Sequence, residues 1–188
     1  MKFLMINGSH RIAGNTETFL SVMKTEFEKY EAATESVLLA TLSLEHCRVC
    51  DSCKGTSVCI IEDGFNPLLK KILEADVLVI GTPVYVGMPS SRMTVLLQRL
   101  AYLALSNGNI LKNKIGVGVV VAGETGHLAT LNSIVDFFLV NEMTILGSRY
   151  WPIGTATKRG EIHNDVSAIE NLKYLAKKVV QFKSGGPQ

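Results

Sequence analysis

No run of lysine and arginine interrupts this chain, and no basic stripe follows any of its helical patterns. Nucleic acid asks for such a stripe, because its phosphate backbone is met with concentrated positive charge. The 19 basic and 17 acidic residues are instead scattered and leave a formal charge of +2, which argues against nucleic acid as a partner. Long hydrophobic runs are missing as well, so no stretch approaches the roughly 20 apolar residues that cross a bilayer. The opening Met1-Lys2-Phe3-Leu4-Met5-Ile6-Asn7-Gly8 is too short an apolar stretch for a signal peptide. The expectation is a cytoplasmic protein with no membrane partner. Internal repeats and low-complexity tracts are absent, and only Ser184-Gly185-Gly186-Pro187-Gln188 reads as a disordered tail, leaving 1–183 as one domain. Cysteine is scarce too, with four in all. In a reducing compartment these are expected as free thiols or metal thiolates, not as disulfides.

What is present points to one well-buried domain. A chain of 188 residues with 47% hydrophobic content hides roughly 70% of the surface that its unfolded form exposes. Short aliphatic runs at Phe3 to Ile6, Ser36 to Leu39, Val77 to Ile80, Ile115 to Val121 and Thr144 to Leu146 read as five strands. The third and fourth are nearly continuous in apolar residues, the mark of parallel strands covered by helices on both faces. Phe19, Leu20, Val22, Met23, Phe27 and Tyr30 mark the buried side of a first helix. Pro89-Ser90-Ser91 starts a helix that runs through Met93, Leu96, Leu97, Leu100 and Leu103, and a last helix begins near Asn164-Asp165 and carries Val166, Ile169, Leu172, Leu175, Ala176 and Val179. Alternating strands and helices predict an α/β doubly wound parallel sheet. Five strands favour the flavodoxin-like order 2-1-3-4-5, which places a ligand at the carboxyl ends of strands one and three. The loops following strands one, three and four are polar or glycine-rich, as that placement requires: Gly8 to Thr16, Thr82 to Pro89, and Ala122 to His127.

The first loop reads as an anion seat. A loop entering a helix leaves backbone N–H groups pointing outward, and the helix dipole adds partial positive charge there. Ser9, Asn15 and Thr16 add short donors, Gly8 and Gly14 allow close approach, and Arg11 brings charge. A second glycine two residues after Gly8 is lacking, as is a lysine after Gly14, so neither the dinucleotide fingerprint nor a nucleoside-triphosphatase loop is present. A terminal phosphomonoester suits the loop better than a pyrophosphate. The competing reading is an ordinary helix cap formed by Asn15 or Thr16. In the second loop, Thr82-Pro83-Val84-Tyr85-Val86-Gly87-Met88-Pro89, two prolines stiffen the backbone, Gly87 admits a flat ligand and Tyr85 offers an aromatic wall. Its competing reading is a plain turn with Tyr85 packed inside.

All four cysteines fall within thirteen residues, at Cys47, Cys50, Cys53 and Cys59. Thiolates this crowded can converge on one soft metal centre, and an iron-sulfur cluster fits the ligand type and spacing. The five-residue gap before Cys59 and the lack of a following proline depart from the ferredoxin run. Structural zinc usually shows two pairs split by a long stretch, which this chain lacks. Vacant or redox-active thiols are the third reading.

Taken in order, Gly8 to Thr16, Cys47 to Cys59 and Pro83-Val84-Tyr85-Val86-Gly87 resemble the NADPH-dependent FMN reductase branch of the flavodoxin superfamily, and within it the iron-sulfur flavoproteins. The resemblance covers nearly the whole chain. It implies FMN as cofactor, its phosphate held by Ser9, Arg11, Gly14, Asn15 and Thr16, and its isoalloxazine ring lined by Pro83, Val84, Tyr85, Val86 and Gly87. It further implies a [4Fe-4S] cluster held by Cys47, Cys50, Cys53 and Cys59 in an excursion (46–62) after strand two. NAD(P)H is the implied co-substrate, and the implied assembly is a homo-oligomer, dimer or tetramer, in which the cluster lies near a neighbouring subunit's flavin. In the third loop, Gly123 and Thr125 are expected beside the flavin before Glu124, whose carboxylate would disfavour an anionic reduced ring. Metal bonds in place of a hydrophobic core predict that metal loss disorders the cysteine loop. Tyr150-Trp151 is a candidate interface anchor, with core packing as its alternative.

The function expected from the sequence is an FMN-dependent oxidoreductase that passes electrons from NAD(P)H, or from a ferredoxin-like reduced carrier, to a small acceptor. No catalytic side chain is named, because the coenzyme carries the chemistry. The alternatives are a cluster-free NAD(P)H:FMN or quinone reductase and a non-enzymatic flavodoxin-like electron carrier.

Overall fold

Strand β1 (Lys2–Asn7) runs parallel to β2 (Ala33–Leu38) on one side and to β3 (Val77–Tyr85) on the other. The computed structural model describes residues 1–185. Beyond β3 lies β5 (Ile115–Ala122), again parallel. The last position in the sheet is shared by two short pieces. At one end of β5, β6 (Thr144–Ile145) pairs with Ile115 and Gly116; at the other, β7 (Ile153–Thr155) pairs with Val120 to Ala122. The spatial order is therefore β2-β1-β3-β5 with β6 and β7 sharing the last place, which is the expected five-strand order with its final strand divided, and residues 146–152 leave the sheet between the halves. A two-residue strand β4 (Met88–Pro89) folds back antiparallel onto the end of β3.

Side chains alternate across the sheet, as the strand period of two dictates. Phe3, Met5, Val77 and Val79 point to the face covered by α1 (Asn15–Glu28) and α5 (Val166–Lys183). Leu4, Ile6, Leu78 and Ile80 point to the face covered by α2 (Phe65–Glu74), α3 (Ser91–Leu105) and α4 (His127–Val140). α5 begins where Asp165 caps it, its carboxylate accepting from Ala168 N at 3.1 Å, and α3 begins at Ser90, whose hydroxyl accepts from Met93 N at 3.2 Å.

Several expected boundaries move. Tyr30 lies beyond the end of α1 and is exposed, and Val166 opens α5 facing solvent. The expected loop at Pro83 to Tyr85 is still strand, because the backbone continues into the hairpin with β4. Of the expected tail, Ser184 and Gly185 form a turn closing α5, with Ser184 N donating to Val180 O; Gly186 to Gln188 lie outside the described residues. Among the described residues, no helix is long and apolar enough to cross a membrane.

Candidate functional site

The carboxyl ends of β1, β3 and β5 bring the three loops to one end of the sheet. Gly8 continues β1 by donating to Gly81 O at 2.7 Å. A Cβ there would come within 3.0 Å of Met93 and 3.2 Å of Ser90 Oγ, so Gly8 lets α3 dock closely against the first loop. Ser90 sits wholly buried at this junction: its hydroxyl donates to Gly8 O at 2.6 Å, and its amide donates to Thr82 Oγ1 at 3.0 Å. One network thus fixes the first loop, the end of β3 and the start of α3.

Within the first loop, Ser9 is buried; its amide donates to Asn7 Oδ1 and its hydroxyl accepts from Arg11 N at 3.0 Å. Gly14 holds the cap position of α1, and no side chain caps the helix. Neither Asn15 nor Thr16 is the cap, so the cap reading of this loop fails. A helix start without a side-chain cap presents unclaimed N–H groups and the positive end of the helix dipole. Thr16 is buried in the first turn, and Arg11, five positions earlier, is exposed. Asn7 Nδ2, buried where β1 ends, has no partner among the described residues. Asn15 ties the first loop to a distant turn: its carboxamide donates to Lys158 O and accepts from Gly160 N, both at 2.8 Å. Arg159 donates to Ile12 O at 3.1 Å. The turn at 158–160 therefore adds Lys158 and Arg159 to the surroundings of the first loop, which the sequence did not disclose.

The second loop is a tight hairpin. Tyr85 pairs with Met88, and the two residues between them have positive φ, 51° at Val86 and 75° at Gly87. That is the type I′ geometry favoured by two-residue hairpins, and a β-branched residue in it is an outlier that marks strain. Val86 is 96% exposed and Tyr85 also faces outward, so the packed-tyrosine reading fails. Tyr85 meets His10 edge-on at 6.0 Å between ring centres, joining the first and second loops. Pro83 and Val84 lie half-buried behind the tip.

The third loop closes against this hairpin. Gly126 has φ of 86°, and a Cβ there would lie 2.9 Å from Val84 Cγ1 and 3.0 Å from Gly87 Cα. Gly123 lies against Thr157, while Glu124 and Thr125 are exposed. His127 is the first residue of α4, and its Nε2 lies 3.2 Å from Gly154 O.

The cysteine loop follows β2 as expected, and all four cysteines line one cavity, together with Arg99, Tyr102 and Leu103 of α3. Among the described residues, no three histidine, cysteine or carboxylate groups stand where they could grip a single metal ion. Burial raises the pKa of the Cys53 thiol, and the nearby Cys59, Cys47 and Cys50 push the same way. Hydrogen bonds from Ser52 lower that of Cys50. The loop also has protein anchors of its own. Asn107 donates to Cys53 O at 2.9 Å and accepts from Ser57 N, and Cys53 itself belongs to the core, while Arg92 fixes the approach to the loop by donating to Leu39 O and Leu42 O. Tyr102 donates to Asp51, a bond that pushes the phenol pKa up to about 12.

A groove of about 510 Å³ lies where the fifth strand is divided, with Tyr150 and Trp151 on its rim. Trp151 is 61% exposed, so core packing does not account for it.

The chain matches the NADPH-dependent FMN reductase family over residues 1–158. It is 32% identical over 188 residues to an iron-sulfur flavoprotein of Methanocaldococcus jannaschii, with 96% of each chain covered. It is 31% identical over 194 residues to an iron-sulfur flavoprotein of Archaeoglobus fulgidus, covering 96% of this chain and 94% of the relative. Among solved structures it is similar to RosB with bound 8-demethyl-8-formylriboflavin-5'-phosphate, at a TM-score of 0.70 and 22% identity, over 96% of this chain and 81% of the other. That last likeness shows the flavodoxin-like fold.

Proposed function

The chain belongs to the NADPH-dependent FMN reductase family and is an FMN-dependent oxidoreductase, and from that premise we propose that it works as an iron-sulfur flavoprotein, moving electrons between NAD(P)H or a reduced carrier and a small acceptor. The observation that carries the finer reading is the placement of the only four cysteines around one cavity beside α3. An all-thiolate donor set is the soft set that iron-sulfur centres use. Cys47, Cys50, Cys53 and Cys59 would hold such a centre.

For FMN, the fit rests on the uncapped start of α1 and on the unpartnered Asn7 Nδ2 beside it. Phosphate at this point would meet backbone N–H groups, the Ser9 and Thr16 hydroxyls and the charge of Arg11, with Gly14 at the cap. Asn15 would act indirectly, by holding the 158–160 turn and its cations against the loop. Pro83, Val84, Tyr85, Val86 and Gly87, with Gly123 and Thr125, would line the ring. When bound, FMN supplies hydride acceptance and single-electron release, and the cluster supplies single-electron storage. The protein's part is to hold these loops rigid, which the Thr82, Ser90 and Gly8 network does. Exposed Tyr150 and Trp151 support a homo-oligomer, since such residues are enriched at interfaces.

Anaerobic purification with flavin, iron and sulfide quantification, followed by NADPH and NADH oxidation with a quinone, tests the reading. Bound FMN, about four irons per chain and nucleotide oxidation are expected. Flavin without iron leaves a cluster-free reductase, and flavin without nucleotide oxidation leaves an electron carrier. Protein that takes up no FMN overturns the reading altogether.

A further inference from the structure

Arg99 is the largest of the fully buried side chains, only 2% exposed, in the middle of an otherwise leucine-rich face of α3. Burying a guanidinium is costly unless it is paired and hydrogen-bonded. Its pairing is extensive. Nη1 donates to Asp63 Oδ2 at 2.5 Å and to Glu45 O at 3.0 Å, while Nη2 donates to Ile61 O at 3.3 Å and to Cys59 Sγ at 3.1 Å. The plane lies over the Phe65 ring at 4.2 Å. Nε has no partner among the described residues. A cation that needed only a structural role would be served by Asp63 and the two carbonyls. The donation to a cysteine sulfur in a cavity lined by all four cysteines adds something else.

We propose that Arg99 is a positioning residue for the metal centre: it fixes Cys59 through its sulfur and places a buried positive charge beside the cluster, making the cluster easier to reduce. This rests on the iron-sulfur reading above. A core held by four thiolates is net negative, and each electron added makes it more so. A buried cation at 3.1 Å from a ligand sulfur favours the reduced state, since hydrogen bonds to sulfur and local charge set such potentials. Asp63 works in the opposite sense, its carboxylate holding the guanidinium in place while offsetting part of its charge. The two residues therefore form an opposed pair, and their removal must move the potential in opposite directions.

The test is an EPR-monitored redox titration of anaerobically purified wild-type, Arg99→Gln, Arg99→Lys and Asp63→Asn proteins, with iron and sulfide counted in each. Arg99→Gln is expected to shift the reduction equilibrium at least tenfold toward the oxidised cluster, about 59 mV more negative for one electron. Arg99→Lys keeps the charge without the fork and falls between that value and the wild type. Asp63→Asn shifts the potential to the positive side. Should Arg99→Gln fail to fold, the opposite displacements of the other two variants carry the test. Potentials that stay put, or that move the same way in the arginine and aspartate variants, overturn the role of Arg99 while leaving the cluster in place. Wild-type protein devoid of iron and sulfide overturns the role and the cluster reading together.

Discussion

Ser90 Oγ donates a 2.6 Å hydrogen bond to the carbonyl of Gly8, across 82 positions of sequence, and accepts from Met93 N at 3.2 Å. One buried hydroxyl thus caps α3 and ties it to the loop on which the flavin phosphate is proposed to rest. Ser90→Ala removes the cap and leaves two buried backbone groups short of a partner. The expected loss is about 1–3 kcal/mol in urea unfolding, with weaker retention of FMN on gel filtration.

Gly126 supports the site from the other side. Substitution by alanine meets two obstacles, the φ of 86° and the 2.9 Å approach to Val84 Cγ1. Gly126→Ala should lower stability by more than about 1 kcal/mol and displace the hairpin tip, read as a lower melting temperature and a raised FMN dissociation constant. A full-strength FMN complex in this variant contradicts the packing of the third loop against the second.

Val86 sits at φ 51° with its side chain 96% exposed, so the hairpin carries local strain without recovering it by burial. Val86→Gly should raise the stability of the flavin-free protein by about 0.5–1 kcal/mol. If the side chain touches the isoalloxazine ring, the same change weakens FMN binding. Gains in both quantities mean that the side chain is not part of the flavin contact.

Asp63 gives the molecule a defined acid response. Burial raises the pKa of its carboxyl, but the hydrogen bond from Arg99, with those from the Glu45 and Phe65 amides, outweighs burial and brings it below the ordinary carboxylate value. A carboxyl depressed in the folded state adds stability that is present above its unfolded pKa, near 4, and is lost as pH falls through the folded value. Denaturation followed from pH 7 down to pH 3 should show stability falling from about pH 4 downward. Asp63→Asn should begin less stable and flatten that part of the curve.

Much of this was legible in the chain, for reasons that also explain the gaps. Val77 to Ile80 and Ile115 to Val121 announced themselves because parallel strands covered on both faces are apolar at every position. The cysteine excursion and the loops at the strand ends followed from spacing and strand order. The divided fifth strand stayed hidden, since Ile153–Thr155 is too short to show a period. Arg99 gives no signal in the sequence, because its counter-charge lies 36 positions away and an arginine among leucines resembles the edge of a helix face. The tie from Asn15 to the Lys158 carbonyl, 143 positions distant, is a pairing that no local pattern encodes.

α3 fastens the phosphate loop at its cap and the cysteine excursion along its length, through Arg99 and Tyr102, while Asn107 just beyond its end holds Cys53. The seat for the four thiols is thereby shaped by polypeptide contacts. The proposed cluster would therefore sit in a loop that the protein already holds by its own contacts, so that its insertion would not have to supply the whole of the loop's order.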